Sequence, residues 1–564
     1  MSIALPIVQS SPDLVEQLLA EQQSLSAVEQ FSSAHDSDAS VAPAQARYYR
    51  SLMPASPPGP GQQYSFDVDL DQCSGCKACV VACHTMNGLD EDESWRRVGT
   101  LTIGEFESPR IQHVTTACHH CEDPGCLSGC PVKAYEKDSE TGIVRHLDDQ
   151  CIGCKYCTMM CPYEVPQYSE RLGIVRKCDM CHQRLSAGEA PACVQACPNE
   201  AISIAVVNIA ETEFAADDRI AAGAPVSTIT KPTTNYRTEY RDIAENAAPQ
   251  DIGVDHVAES HWPLAVMLVA TQVSVGMIFI ERFAATLAWV SGHDHSVIAT
   301  RSILLVALLI GGVGLNIASL HLGQPLRAWR VFLGLKTSWL SREAVVLGKY
   351  MGLLSAATAL YWMPVFRDYL PQSISQWISQ WIPAWAANLT LVIAIIVGAA
   401  GLFSSAMIYI ATRRQIWRSS RTLIRFMGTA VVAGAISVLP ILILSGESRF
   451  VCVAITILGL ITLAGKAAWE WSVHLNPNGR GDVYDRRSRR LVRQSLSRLA
   501  RSRMLAAHAS LGLLCVAAAA TFVSPWTAAA IAIVASLTVI GGEIAERLLY
   551  FMSVVYDRMP GTFR

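Results

Sequence analysis

Charged residues are scarce in this sequence. Asp, Glu, Lys and Arg make up 16% of its 564 residues, whereas hydrophobic residues make up 51%. Soluble globular proteins carry about 25% charged residues, so the composition indicates the membrane class. The formal net charge of −3 gives no indication of a nucleic-acid partner. The first residues lack a basic start, a long apolar stretch and a small-residue cleavage site, so we expect no secretory signal.

The shortage of charge is confined to the second half. Residues 1–261 have the composition of a soluble protein, and residues 262–564 are dominated by long apolar runs. Each run is close to the twenty residues that a bilayer requires, and their number argues against a buried bundle in a soluble protein. We predict eight spanning helices, at about 263–282, 302–320, 344–363, 387–410, 426–445, 450–468, 504–523 and 527–551.

Basic residues are distributed unevenly between the predicted loops. The side that carries the first residues has 20 Lys and Arg, against three on the opposite side. The positive-inside rule therefore predicts a multi-pass protein of the inner (cytoplasmic) membrane with its first half in the cytoplasm. Export of a folded first half with a partner that carries a signal stays open as an alternative.

Composition divides the first half into three parts. Residues 1–62 form an extension and linker, with a candidate amphipathic helix at 12–31 and a Ser-, Ala- and Pro-rich stretch at 32–62. Residues 63–206 form a cysteine domain in which short β-like segments flank the cysteines. Residues 207–261 are polar and are predicted to be a connector to the membrane part at 262–564.

Sixteen of the 18 cysteines belong to the cysteine domain. The other two, Cys452 and Cys515, lie singly in apolar helices, where a cysteine usually behaves as a small hydrophobe. The sixteen form four groups: Cys73, Cys76, Cys79 and Cys83; Cys118, Cys121, Cys126 and Cys130; Cys151, Cys154, Cys157 and Cys161; and Cys178, Cys181, Cys193 and Cys197.

This spacing is typical of iron–sulfur proteins. Closely spaced cysteines wrap a loop around a cubane cluster, and the fourth cysteine, before a proline, ligates the neighbouring cluster. Sixteen thiolates then hold four [4Fe–4S] clusters. Structural zinc, the alternative, commonly takes ligands two and two from C-x2-C knuckles. Two departures are His84 where a proline is expected after Cys83, and the eleven residues between Cys181 and Cys193.

The motifs also resemble a known family. "CIGCKYCTMMCP", "CHHCEDPGC" and "CVQACP" resemble the four-cluster subunit of dimethyl sulfoxide reductase and related molybdopterin oxidoreductases. "HWPL", "SLHLGQPLRAW", "LSREA" and "GEIAERLLYF" resemble the membrane anchor subunit of the same enzymes. The resemblance covers about 63–206 and 261–564 and implies a fusion of two subunits. The expected fold is an α+β ferredoxin-like iron–sulfur domain of two pseudo-repeated bacterial ferredoxin units, followed by an all-α polytopic domain of eight transmembrane helices.

The resemblance implies how the cysteine groups combine. The first group pairs with the fourth, and the second pairs with the third. The four implied ligand sets are Cys73, Cys76, Cys79 and Cys197; Cys83, Cys178, Cys181 and Cys193; Cys118, Cys121, Cys126 and Cys161; and Cys130, Cys151, Cys154 and Cys157. The first set is expected nearest the catalytic subunit, and the last nearest the membrane.

The resemblance further implies a quinol site without haem, to which His321 contributes. Ionisable residues in a membrane are costly and usually mark function, and here they gather towards one side. Candidates beside His321 are Gln272, Arg342, Glu343 and Glu543, with interfacial or helix-pairing roles as the alternative. Haem would need facing histidine pairs, and only His321 and His508 are well placed.

Together these features predict an electron-transfer and membrane-anchor subunit. Electrons would pass between menaquinol or ubiquinol and a separate molybdopterin-containing catalytic subunit through four clusters. Whether this polypeptide counts as an enzyme, the direction of electron flow and the partner's substrate stay open, with nitrate reductase or sulfite dehydrogenase partners included. Alternatives are a redox-coupled ion or proton translocator in a larger respiratory complex, which polar residues through the whole bilayer depth would indicate, and a passive anchor.

Overall fold

The computed structural model describes residues 14, 16, 17, 20, 46–103, 110–212, 214, 218–240, 247–251, 253–366, 369, 385–475 and 481–562. The helix predicted over 12–31 lies outside them, apart from those four single positions. The predicted linker is described from Ala46, where helix α1 (Ala46–Tyr49) begins. Ala46 and Tyr49 are buried in the core of the cysteine domain, so this end of the linker packs onto the domain.

The cysteine domain is built on short strands, as its β-like segments predict. Two three-stranded sheets have the orders β8-β1-β9 and β10-β2-β3, and the pairs β4-β5 and β6-β7 are hairpins. The predicted connector supplies β9 and β10, so it completes both sheets. The strands are β1 (Gln62–Asp69), β2 (Arg97–Ile103), β3 (Arg110–Thr116), β4 (Tyr135–Lys137), β5 (Val144–His146), β6 (Gln167–Ser169), β7 (Ile174–Arg176), β8 (Ile202–Asn208), β9 (Asn235–Arg237) and β10 (Ala248–Pro249).

Cysteine loops and short helices alternate with these strands. The first and third groups use the same turn: Gly75 and Gly153 have φ of 73° and 67°, and Lys77 and Lys155 follow with φ of 63° and 57°. Glycine tolerates this left-handed conformation without strain, and the shared turn is the mark of the predicted internal repeat. The helices are α2 (Ala78–Asn87), α3 (Gly125–Gly129), α4 (Tyr156–Met160), α5 (His182–Ser186) and α6 (Ala192–Gln195).

Long helices make up the second half. Three of them begin at a serine whose side chain caps the first turn, Ser296, Ser448 and Ser524. The helices are α7 (Trp262–Val290), α8 (Val297–Ile317), α9 (Trp339–Phe366), α10 (Trp385–Ile410), α11 (Ser419–Leu444), α12 (Arg449–Glu470), α13 (Val483–Gln494), α14 (Ser497–Ala520) and α15 (Pro525–Met552).

Within the described residues, eight helices are long and apolar enough to cross a membrane, all of the above except α13. Each predicted span overlaps one of them, so the prediction of eight is confirmed. Helix α7 is the most enclosed, with 78% of its most apolar window buried inside the protein. It therefore forms the centre of the bundle.

Hydrogen bonds to backbone carbonyls join the two domains. Gln324 N donates to Ile152 O at 3.0 Å, and Gly334 N donates to Pro131 O at 2.8 Å. Ser338 Oγ donates to Gly129 O at 2.6 Å. All three acceptors neighbour cysteines of one set, Cys130, Cys151, Cys154 and Cys157, so this set lies directly against the membrane domain.

The segment after α15 returns to the cysteine domain. Tyr556 donates a hydrogen bond to Glu164, and Gly561 N donates to Asp251 Oδ1 at 2.8 Å. Met559 is buried in the core of the cysteine domain. The two domains are therefore joined by the connector and by this returning segment, residues 553–562.

Candidate functional site

The sixteen cysteines come together in four sets of free thiols. Thiols of the same set lie within electrostatic range of one another. The sets coincide with those that the resemblance implies: Cys73, Cys76, Cys79 and Cys197; Cys83, Cys178, Cys181 and Cys193; Cys118, Cys121, Cys126 and Cys161; and Cys130, Cys151, Cys154 and Cys157. We call them sets one to four.

The sets follow one another in a line. Cys79 of set one is close to Cys193 of set two, and Cys178 of set two is close to Cys118 of set three. Tyr135 lies within electrostatic range of thiols of sets three and four. Set four ends the line at the membrane domain. This order matches a path for electrons from one end of the domain to the other.

The surroundings of the thiols fit iron–sulfur clusters. Backbone amides point at the sulfurs, as in Ala134 N to Cys130 Sγ at 3.2 Å and Ala201 N to Cys197 Sγ at 3.3 Å. Such amides stabilise cluster sulfur. A cavity is lined by the four thiols of set three. Among the described residues, no three His, Cys, Asp or Glu side chains converge as a single metal ion requires.

Two buried cations lie between the sets. Arg96, 1% exposed, is close to thiols of sets one and two. Lys177, 2% exposed, has its Nζ 3.5 Å from Cys118 Sγ and donates to Cys178 O at 2.8 Å. Burial alone lowers the pKa of Lys177, but the negative charges of Cys118, Cys126, Cys178 and Asp179 together outweigh burial and raise it. Both side chains offset negative charge that clusters and thiolates bring into the interior.

His321 ends the turn Ala318–His321 that follows α8 and is 9% exposed. Its ring lies close to the backbone of Cys154, a member of set four. Its Nε2 has no hydrogen-bond partner among the described residues. The ring of His261 stands edge-on to it, with centroids 5.1 Å apart. A buried imidazole with a free nitrogen thus adjoins the last thiol set.

Glycine residues allow the turn that carries His321 to approach thiol set four closely. Gly323 N reaches Gly153 O at 3.5 Å. A Cβ added at Gly323 would lie 2.0 Å from Gly173 O, and one added at Gly153 would lie 2.3 Å from the same oxygen. Any larger residue at Gly323 forces the histidine turn away from set four. The three glycines, which we call the glycine contact, set the distance between the two domains.

Glu343 lies on the same side of the membrane domain. It is 4% exposed, and its Oε1 has no hydrogen-bond partner in the part of the protein that the structure describes. Tyr156, between Cys154 and Cys157, lies within electrostatic range of Glu343 and donates its hydroxyl to Ile408 O at 2.8 Å. Burial and the Glu343 carboxylate raise the pKa of Tyr156, which therefore stays a hydroxyl donor.

Two other predicted residues belong to a separate network. Glu543 accepts from Lys466, from Arg503 at 2.9 Å and from Thr429 at 2.6 Å. Gln272 Oε1 accepts from Arg547 Nη2 at 3.1 Å. The remaining members are Arg425, Glu470 and Glu546. This group, the inner network, is almost fully buried between α7, α11, α12, α14 and α15.

Arg342 is directed elsewhere. It donates to the backbone oxygens of Leu335 and Lys336 at 3.1 and 2.7 Å, and its guanidinium lies 4.4 Å from the ring centroid of Trp339. The structure thus brings His321 and Glu343 towards set four, and places Gln272, Glu543 and Arg342 apart from them.

Ionisable residues also occur at the opposite end of the helices. Glu281, near the end of α7, is fully buried and accepts from Arg282, from His295 and from Thr300 at 2.6 Å. His295 Nδ1 is 2.9 Å from Glu447. The expectation that ionisable residues gather on one side is therefore wrong. These groups, the outer cluster, are paired with one another, which lets carboxylates be buried there.

Comparison with known proteins accounts for both halves. Residues 110–207 match the protein family described as "4Fe-4S dicluster domain". Residues 256–552 match the family described as "DMSO reductase anchor subunit". The second match covers more than half of the sequence. This protein belongs to the DMSO reductase anchor family. Its first half carries the iron–sulfur domain, so it joins an electron-transfer module to a multi-pass anchor in one polypeptide.

Relatives of the iron–sulfur half have curated names. The B subunit of anaerobic dimethyl sulfoxide reductase from Escherichia coli is 36% identical over 206 residues, which are 34% of this protein and 98% of that subunit. The B subunit from Haemophilus influenzae is 35% identical over 180 residues, 30% of this protein and 87% of that subunit. The thiosulfate reductase electron transfer subunit of Salmonella typhi is 38% identical over 155 residues, which are 27% of this protein and 80% of that subunit.

Sequence reasoning misses several residues of the anchor. The count of basic residues places Arg503, and Lys466 at the end of the span predicted at 450–468, in a basic loop at 466–503. Both lie in helices and pair with buried carboxylates. The spacing of four between Lys466 and Glu470 is the signal that could have placed them in a helix. His261, in "HWPL", carries part of the resemblance but no predicted role. Nothing in its local sequence indicates that it meets His321, sixty residues later.

Proposed function

We propose that this DMSO reductase-type anchor passes electrons between a quinol and a separate molybdopterin-containing catalytic subunit through four [4Fe–4S] clusters. The observation that carries the proposal is the contact between the His321 turn and set four. There a buried histidine of the membrane domain, whose Nε2 has no hydrogen-bond partner among the described residues, adjoins a thiol set. An electron that leaves a membrane-bound carrier at this point enters the line of thiol sets directly.

The thiol sets would hold the clusters, which supply one-electron carriers when bound. Arg96 and Lys177 would offset the negative charge of each added electron. The amides at Cys130 and Cys197 would hold the sulfurs in place. Set one, at the far end of the line from the membrane, would face the catalytic subunit.

His321 and Glu343 would hold the quinol head group. A quinol needs a hydrogen-bond acceptor for each hydroxyl next to an apolar pocket. The free Nε2 of His321 and the free Oε1 of Glu343 are such acceptors, and Tyr156 keeps a hydroxyl nearby. Because Arg342, Gln272 and Glu543 are engaged elsewhere, we assign them no direct contact with menaquinol or ubiquinol.

The anchor would lie in the inner membrane with the iron–sulfur domain on the cytoplasmic side. The excess of Lys and Arg on that side supports this orientation. Reporter fusions in the loops between α8 and α9, and between α9 and α10, test it. Cytoplasmic activity in the first loop and external activity in the second are expected, and the reverse pattern contradicts the proposal.

Rapid mixing of the anaerobically purified protein with a short-chain naphthoquinol tests the quinol site. Reduction is followed as bleaching of cluster absorbance. We expect His321→Ala and Glu343→Gln to slow bleaching on the order of a hundredfold, whereas His508→Ala, at an exposed histidine of α14, keeps the original rate. Wild-type rates in both site variants with intact clusters would contradict the site.

Co-purification from mild detergent tests the partner. We expect a large subunit that contains molybdenum and a pterin, bound to the iron–sulfur side. A partner without molybdenum would remove that part of the proposal while leaving the electron path intact.

Redox-coupled ion translocation is the second candidate function. The outer cluster favours it, because buried ionisable groups now lie at both ends of α7. Reconstitution in liposomes with a pH dye inside distinguishes the two. Proton movement beyond that released by quinol itself, lost in Glu281→Gln, would support translocation, and its absence supports a simple quinol site.

A further inference from the structure

His261 occupies an unusual position at the start of α7. It is the N-cap residue and has φ of 43° and ψ of 41°, a left-handed conformation that costs a residue with a side chain free energy. This conformation directs its ring between two others: His321, at a centroid distance of 5.1 Å, and Phe551, at 5.8 Å. The strain is therefore associated with placing an imidazole beside His321.

The other side of His261 faces a cavity of about 120 Å³ between the two domains. Since a water molecule takes up about 30 Å³ of liquid, the cavity has room for several. Glu164, Glu259 and Arg414 provide charged groups in its wall, which suits water. His261 thus separates the buried His321 from a polar chamber.

Glu259 connects this chamber to the outside. Its side chain is 53% exposed, and its Oε1 lies 3.7 Å from His261 Nδ1 and accepts from Lys155 Nζ at 2.7 Å. His261 Nδ1 itself has no hydrogen bond within the described residues. Exposure therefore rises along the series His321, His261, Glu259.

The resting charges suit the transfer of a proton. Burial lowers the pKa of His261 to about 4; Glu259 opposes this shift, and Lys155 and Arg414 add to it. The ring is neutral at pH 7 and free to accept a proton. Burial raises the pKa of Glu259, but the positive charges of His261 in its protonated form and of Lys155 outweigh burial and lower it, so the carboxylate is ionised.

We propose that His261 and Glu259 form the outlet for protons released at the quinol site. Oxidation of one quinol breaks two O–H bonds, sends two electrons to the clusters and leaves two protons. Each proton passes from the side of His321 to the ring of His261, and from there through the cavity and Glu259 to water. His261 acts through His321, and the inference rests on the proposed quinol site.

The test uses the full-length protein with its clusters, mixed with the same naphthoquinol. We expect His261→Ala to slow bleaching on the order of ten- to a hundredfold, with the quinol concentration for half-maximal rate unchanged. The remaining rate should show a larger solvent deuterium isotope effect than the wild type. Added imidazole should restore the rate of bleaching, because removal of the His261 ring leaves space for a free imidazole beside the existing cavity.

Further variants separate the outcomes. Glu259→Gln should slow bleaching less than His261→Ala, since water reaches the cavity, and His508→Ala is the control. If His261→Ala loses its clusters, His261→Asn, with a smaller polar side chain, replaces it in the same assay. A wild-type rate and isotope effect in the cluster-containing His261 variant, while His321→Ala is slow, would overturn the outlet but not the quinol site. Wild-type rates in both His321→Ala and Glu343→Gln overturn the quinol site itself.

Discussion

Removal of the charge of Lys177 should lower the reduction potentials of the neighbouring clusters. The Nζ lies 3.5 Å from Cys118 Sγ, and an added electron spreads over the cluster, so we take about 6 Å as the distance to its centre. At an effective dielectric constant of about 20, a unit charge at that distance contributes about 2.8 kcal/mol. This energy equals about 120 mV for a one-electron couple.

Counter-charges reduce that value, so we expect Lys177→Met to lower the potentials of the set-two and set-three clusters by about 50–120 mV. Potentiometric titration followed by electron paramagnetic resonance measures each cluster. Lys231→Met is the matched control, because Lys231 is 41% exposed and pairs with Glu122 at the surface. A shift below about 20 mV, roughly 0.5 kcal/mol, in protein with full iron content would refute the role of Lys177.

Three more predictions concern the junction, the inner network and the metal. Gly323→Ala should separate His321 from set four and slow quinol-driven bleaching while dithionite still reduces the clusters; equal rates would contradict the glycine contact. Lys466→Met leaves Glu543 buried with one cation fewer and should destabilise the membrane domain by about 3–5 kcal/mol. The loss is measured as a lower unfolding temperature in detergent. Lys466→Arg, which keeps the positive charge, should lower the unfolding temperature less. Anaerobic protein should contain iron and acid-labile sulfide in equal amounts, and zinc in their place would end the cluster assignment.

The four cysteine groups could be predicted because their signal is local, whereas their combination into sets was implied by the family resemblance. Spacings of two and three residues specify a loop around a cluster wherever the fold places it, and the two shared turns at Gly75 and Gly153 repeat that solution. The number of membrane-spanning helices could also be predicted from the sequence, because it depends only on the number and length of the apolar runs. Both kinds of signal are read within twenty residues.

Pairing between distant helices could not be predicted in the same way. Glu543 and Glu343 are both predicted as buried carboxylates near one face, but only packing shows that Glu543 is neutralised by Lys466 and Arg503, whereas Glu343 Oε1 has no partner within the described residues. His261 and His321 meet because two helix ends converge. Such contacts depend on how all the helices of the bundle pack together, and no single stretch of the sequence determines that packing.

The returning segment, residues 553–562, is a second connection between the iron–sulfur domain and the membrane domain, in addition to the connector. A protease that cuts the connector between Asp251 and His261 would leave the halves attached, since Met559 stays buried in the iron–sulfur core and Gly561 stays bound to Asp251. Separately encoded subunits can dissociate and exchange, but here thiol set four would keep its contact with the membrane domain even after the polypeptide is cut once. Release of the two halves should therefore require both a cut in the connector and removal of residues 553–562.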